Sequence, residues 1–313
     1  MKKKEARYCV NREIVVPLHR DNVAYMKKVI GIILLLFIFL PLSAQDGTYG
    51  TEGEPVSAET YGQEHTNVLK IHAGYGRQID TYLSPMAYRG WQLGLGNEWW
   101  QAFRQDTKLG KTGRLANWGH VGRVDLAAGR SVNTARSNLF YSLHLDAGWG
   151  AFYCWKWIDD RLKVHVGPYL EGSFAVREHG SNVNKIVSFD VAVEAMAMGG
   201  VSWSFYGKKT SYRLNYLIRT NLIGFDFLPE YWESYYEISQ GVPGQARCSG
   251  PWNHHTLKHE LTLDLQFSHS TWRVGAAHEL NDYGTKDLHF SRNQIQLVIG
   301  CIWKYRINPH SRL

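Results

Sequence analysis

The sequence predicts an all-β protein: an antiparallel transmembrane β-barrel of about ten strands, or twelve if the 228–255 segment holds a hairpin, preceded by a signal peptide. Three observations predict it. Stretch after stretch alternates apolar and polar residues with period two, as extended chain does when successive side chains point to opposite faces. Aromatic residues are abundant (12 Trp, 18 Tyr, 12 Phe) beside 30 Gly and only 9 Pro, a composition suited to strands and to aromatic belts at a membrane boundary. Past the N-terminal region no apolar run approaches the roughly 20 residues of a membrane helix, and the mean hydropathy is below zero.

From the N-terminus, Lys27 and Lys28 precede an apolar run from Val29 to Leu40, then Pro41 and Leu42-Ser43-Ala44. This is the order of a secretory signal: basic start, short apolar centre, small residue at the cut. Residues 26–44 are read as the signal peptide, cleaved after Ala44, and residues 1–25 as a mis-assigned upstream extension with the true start at Met26. Residues 45–66 read as a flexible periplasmic leader, 67–307 as the barrel and 308–313 as a tail. The formal charge of +7 falls to +2 once residues 1–44 are set aside, so the basicity is no argument for nucleic acid. Cys154, Cys248 and Cys301 remain, and an odd count at wide spacing makes no disulfide framework or metal site.

Ten strands are expected, at about 67–83, 87–104, 117–132, 137–157, 161–177, 184–206, 210–227, 256–268, 270–281 and 291–307. In 138–157 the odd positions, Leu139 to Trp157, are all apolar or aromatic, and the even ones are polar or small apart from Phe140 and Phe152. Parity then locates the aromatic residues. Near the end reached by the even-numbered connections lie Trp118, Tyr153, Trp155, Trp157, Trp203, Phe205, Tyr212, Phe267, Trp272, Trp303 and Tyr305; toward the other end lie Tyr75, Tyr141, Phe174 and Phe189. Two girdles around an apolar band are the pattern of an outer-membrane barrel, short turns facing the periplasm and the long 228–255 segment facing out. A soluble sandwich or lipocalin-like barrel is the competing reading, with the same alternation turned inside out.

The opposite face carries Lys70, Arg123, Lys163, Arg213, Arg219, Lys258, Arg273 and Lys304 against Glu98, Asp125, Asp146, Glu171, Asp190, Glu194, Glu260, Asp264 and Glu279, with His144 beside Asp146. Balanced charge in a narrow interior reads as a salt-bridged plug; a small water-filled pore is the sharper alternative. His259 and His278 interrupt the apolar face. A turn near residues 269–270 would set His259 opposite Leu280 with His278 diagonal to it, an interfacial pair with no serine beside it. His254-His255 lack spaced partners for a metal. No nucleotide-binding, serine-hydrolase or zinc-protease motif occurs, so no cofactor and no catalytic residue is expected. Gly94 and Gly96 read as sheet glycines.

Gly300-x-x-Trp303-x-Tyr305 resembles the C-terminal signal read by the barrel-assembly machinery, although Val298 stands where a polar residue is usual and Asn308 to Leu313 trail beyond. The Leu42-Ser43-Ala44-Gln45 junction, the run Thr81-Tyr82-Leu83-Ser84-Pro85-Met86-Ala87-Tyr88-Arg89-Gly90-Trp91 and the Gly-aromatic strands to Tyr305 together resemble an outer-membrane barrel family of unknown function from Bacteroides-like bacteria, over about 67–307. The resemblance implies a barrel and no catalytic residues. The expected role is structural or small-solute passage. An outer-leaflet lipid-modifying enzyme is the first alternative. The second is a surface binding protein acting through 228–255, where Trp232, Tyr235, Tyr236 and Trp252 would anchor a ligand. Expected partners are outer-membrane lipid, the assembly machinery and a small-molecule or lipid ligand.

Overall fold

Alternating residues make one apolar and one charged ribbon per strand, and ten such strands bury the charged ribbons by closing on themselves. The computed structural model describes residues 63–102, 117–180, 187–207, 210–228, 245–267, 270–284 and 288–307. The expected upstream extension, signal peptide, C-terminal tail and most of the leader lie outside these, as do Trp232, Tyr235 and Tyr236.

The strands are β1 (Gln63–Asp80), β2 (Ser84–Ala102), β3 (Trp118–Asn133), β4 (Leu139–Trp157), β5 (Leu162–His179), β6 (Val187–Tyr206), β7 (Ser211–Leu228), β8 (Gln245–Ser249), β9 (His254–Gln266), β10 (Thr271–Gly284) and β11 (His289–Ile307). Each wall strand pairs antiparallel with its neighbours, and β1 pairs with β11 from Gln63↔Ile307 to Asp80↔Phe290, closing a ten-strand barrel. In the 228–255 segment the described residues add one short strand, β8, paired only with the last residues of β7; it lengthens that hairpin and contributes nothing to the wall.

One unbroken row shows the stagger. Tyr153 faces Val166, then Gly199, Ile218, His259, His278, Ile295 and Tyr75. It begins in the aromatic cluster at the end where β1 starts and β11 finishes (the terminal end) and ends in the cluster at the distal end. The strands are therefore tilted, as closure requires.

Burial settles which ribbon faces in. Ile71, Leu93, Phe225 and Leu297 are 61–67% exposed, whereas Lys70, Glu98, Arg177 and Glu171 are 1–4% exposed. The apolar ribbon faces outward and the charged one lines the lumen, the reverse of a soluble barrel. The girdle residues Trp155, Trp157, Trp203, Phe205, Phe267 and Trp272 are all among the exposed large side chains. Trp118 meets Tyr153 edge-on with ring centroids 5.5 Å apart, and Phe205 stacks on Tyr212 at 5.4 Å. Trp303 is half-buried, and Tyr305 continues β11 opposite His65.

The lumen is not uniformly polar. Val121, Phe152, Cys154, Tyr169, Met196 and Met198 form one inward cluster, and Tyr82, Leu83, Tyr88, Phe140 and Leu288 form another at the distal end. Tyr169 occupies space left by Gly148: a Cβ there would come within 2.5–2.7 Å of the phenol ring.

Candidate functional site: the lumen and its vestibule

Residues of one parity on each strand meet in the lumen because the pleat repeats every two residues, except that β7 changes parity at a bulge between Asn221 and Ile223. They form three tiers. Nearest the terminal end, Lys70 Nζ lies 3.3 Å from Glu98 and 3.1 Å from Glu260. Arg273 joins Glu98 at 3.1 Å to Asp264 at 2.7 Å. Arg123 joins Asp125 at 2.6 Å to Glu260 at 3.3 Å, and Trp100 Nε1 donates to Glu98 at 2.6 Å.

The middle tier centres on Lys258, whose ammonium is 2.7 Å from Asp146, 2.6 Å from Glu171 and 3.5 Å from Glu279. Arg219 reaches Glu171 at 3.2 Å, and Arg292 pairs with Glu279. The distal tier centres on Arg177, which binds Asp80 at 2.7 Å and also Asp190; Tyr283 donates to Asp190 as well. Glu194 accepts from Thr256 Oγ1 at 3.1 Å and faces His254.

Some of these pairs join neighbouring strands, and others are chords across the lumen. Lys258 on β9 reaches carboxylates on β4 and β5, the opposite wall, and Arg177 on β5 reaches β1 and β10. Each buried cation therefore keeps a carboxylate, which offsets part of its desolvation cost. Among the described residues, the voids between the tiers measure about 40 and 30 Å³.

Three expected members of the network stand apart. Lys163 and Arg213 line a larger vestibule of about 510 Å³ at the terminal end, and Lys304 stands exposed at its rim. Arg213 donates to Ser204 at 3.3 Å. Trp100, Phe152 and His165 form an aromatic wall there, with ring centroids 5.2–5.7 Å apart. Glu98, Glu260, Asp264 and Arg273 of the ion-pair network line the vestibule's inner side.

His144 and Asp146 share a face, but Asp146 goes to Lys258, and His144 Nε2 has no hydrogen-bond partner. His254 is buried 3.3 Å from Asp226 while His255 is exposed on the other face, so the two imidazoles cannot converge on one ion. No group of three or more metal-ligating side chains occurs among the described residues. Gly94 leaves the room that the His72 ring occupies on its way to Asp125, 2.6 Å away. Of the loop aromatics, Trp252 is described and is exposed.

The outward histidines lie closer than the sequence suggests. His259 and His278 are directly opposite, whereas Leu280 faces Leu257. The hairpin closes between Phe267 and Ser270, centred one residue earlier than expected, and that shift moves every cross-strand partner by two. His259 Nε2 lies 2.8 Å from His278 Nδ1, and His278 Nε2 lies 3.0 Å from Asn293 Oδ1. With Asn293 accepting, neutral His278 donates from Nε2 and accepts at Nδ1 from His259, which leaves His259 Nδ1 as an acceptor. No described hydroxyl hydrogen-bonds either ring, so the arrangement has a base and no nucleophile.

Sequence reasoning missed His72, Asp80, Arg177, Asp226 and Arg292. His72, Asp80, Arg177 and Arg292 share the parity of the residues it did find; Asp226 does not, because β7 bulges between Asn221 and Ile223 and its inward parity changes there. Asp80, Arg177 and Arg292 lie toward the distal ends of their strands, where a sequence does not show whether pairing continues.

Solved structures similar to the chain include the transport unit of the autotransporter AIDA-I from Escherichia coli (TM-score 0.41, 9% identity, covering 82% of this chain and 94% of that one). The translocator domain of the autotransporter NalP from Neisseria meningitidis gives TM-score 0.35 at 10% identity, over 92% and 98%. The outer membrane protease OmpT from Escherichia coli gives 0.30 at 6%, over 82% and 100%. Such distant likeness says nothing of activity. No curated protein matches the sequence. The family model described as "Protein of unknown function (DUF3316)" matches residues 31–304, and the chain belongs to that family.

Proposed function

We propose that this chain is an outer-membrane barrel of a Gram-negative, Bacteroides-like bacterium, exported through a signal peptide cleaved after Ala44, and that its role is structural or ligand-binding rather than free passage of solutes. The outward apolar band and its two girdles support the membrane placement. One observation carries the functional part: Lys258 spans the lumen to Asp146 and Glu171 on the far wall, with tiers of ion pairs on either side. A void of about 40 Å³ holds a few waters and no solute. The vestibule is of ligand size and ends at the network, so a small anionic or aromatic solute entering from the periplasmic end would be held and not passed.

Planar-bilayer recording of the full chain tests this. A closed trace at moderate voltage is expected. Steady, discrete openings of the unmodified protein would replace the plug with a pore.

A further inference from the structure

Strand parity places three arginines on the outward face at the distal end, just beyond the apolar band. Arg77 on β1 faces Arg89 on β2 directly, and Arg130 on β3 faces Trp91, two residues along from Arg89. All three are exposed, and among the described residues none has a carboxylate partner. Directly opposed residues have Cβ atoms roughly 5 Å apart, and like charges there repel; the diagonal neighbour lies within about 8 Å. A wall that places two guanidinium groups face to face, with a third alongside, is complementary to an anion.

The surroundings identify the kind of anion. Tyr75 and Trp91 pack edge to face beneath the arginines with ring centroids 5.0 Å apart, and Trp91 is 68% exposed. Below them Ile71 and Leu93 continue the outward apolar slope. On the flanks Asn293 faces Arg77 and Tyr141 faces Arg130; the carboxylate on this row, Glu178, lies beyond Tyr141. Guanidinium groups bind phosphate oxygens bidentately, and aromatic rings prefer the headgroup boundary.

We propose that Arg77, Arg89 and Arg130 form a site for the phosphate-bearing headgroup of a membrane lipid, whose acyl chains run down over Trp91, Leu93 and Ile71. This rests on the outer-membrane reading, which makes the lipid one of the outer leaflet. The bound phosphate neutralises the repulsion between Arg77 and Arg89, so lipid binding and wall stability are linked.

The test is native mass spectrometry of the full chain in detergent micelles, with dioleoyl phosphatidic acid and dioleoylglycerol as probes that differ only in the phosphate. Phosphatidic acid should be retained and dioleoylglycerol should not. The triple variant Arg77→Gln/Arg89→Gln/Arg130→Gln should retain phosphatidic acid at least about tenfold less well, since each charged hydrogen bond lost is worth a sizeable fraction of that. Heat-modifiable gel migration checks that the variant is folded. Arg77→Lys/Arg89→Lys/Arg130→Lys, which keeps charge and loses bidentate geometry, should bind at an intermediate level. In lipid-free detergent Arg77→Gln should leave the thermal midpoint unchanged or higher, and with phosphatidic acid its lipid-induced rise should shrink. Equal retention of both probes, retention by the glutamine variant within twofold of the original, or displacement of the lipid by millimolar inorganic phosphate would each overturn the site. Those results leave detergent dependence intact. Loss of detergent dependence would instead overturn the membrane reading.

Discussion

Lys258 shows what the interior asks of a single side chain. Its ammonium holds Asp146 and Glu171 at 2.7 and 2.6 Å, with Glu279 at 3.5 Å. Methionine in its place keeps most of the volume and removes the charge, leaving buried carboxylates short of a cation. Breaking a buried pair from one side costs about 3–5 kcal/mol. Lys258→Met is expected to destabilise the barrel by that order, read as the fall in urea midpoint in detergent. A second substitution, Asp146→Leu, should recover part of the loss, because it removes one of the carboxylates left unpaired; purely additive losses would mean the two groups are not coupled. The same reasoning separates Lys163 from its neighbours. It has the parity of the network, yet it lies in the vestibule, where water can replace a carboxylate partner.

The β9–β10 hairpin carries a lesson about elements. Its two strands were legible to within a few residues, because Leu261, Leu263 and Leu265 alternate with Glu260, Thr262 and Asp264. The register was not. Nothing in Phe267-Ser268-His269-Ser270 dictates the centre of the turn as an Asn-Gly pair would, and moving that centre by one residue moves each partner by two. The structure pairs Leu261 with Ala276, where the sequence reading would pair Leu263 with Ala276. In a background with Cys154, Cys248 and Cys301 replaced by alanine, Leu261→Cys/Ala276→Cys should oxidise to a disulfide and Leu263→Cys/Ala276→Cys should not, as followed by intact mass. Opposed residues fall within disulfide reach and diagonal ones at or beyond its limit. The reverse result would restore the shifted register and separate His259 from His278.

For the molecule as a whole, the deciding quantity is which ribbon meets solvent. Leu93 and Leu297 stand 65% and 67% exposed while Lys70 and Glu98 are buried. Water would penalise so continuous an apolar belt, and lipid does not. The purified protein is expected to be monodisperse in detergent and to aggregate on dilution into plain buffer, by light scattering. A monodisperse barrel without detergent would contradict the outward band.

Alternation is local, so period two in the sequence was enough to read ten strands, their approximate ends and the two faces of each. It also indicated that the charged face encloses a balanced set of ions, since Lys70, Lys258, Glu98 and Glu171 all fall on one parity. Which cation meets which anion was not legible. Lys258 and Asp146 are 112 residues apart in the chain, and whether they meet depends on the register of every hairpin between them and on the stagger with which β1 meets β11. A one-residue change in any turn accumulates around the wall. The cross-lumen ion pairs, the vestibule and the row of opposed arginines were therefore decided by tertiary structure, because closure of the barrel is a property of all ten registers together while a strand's own pattern reports only its two faces.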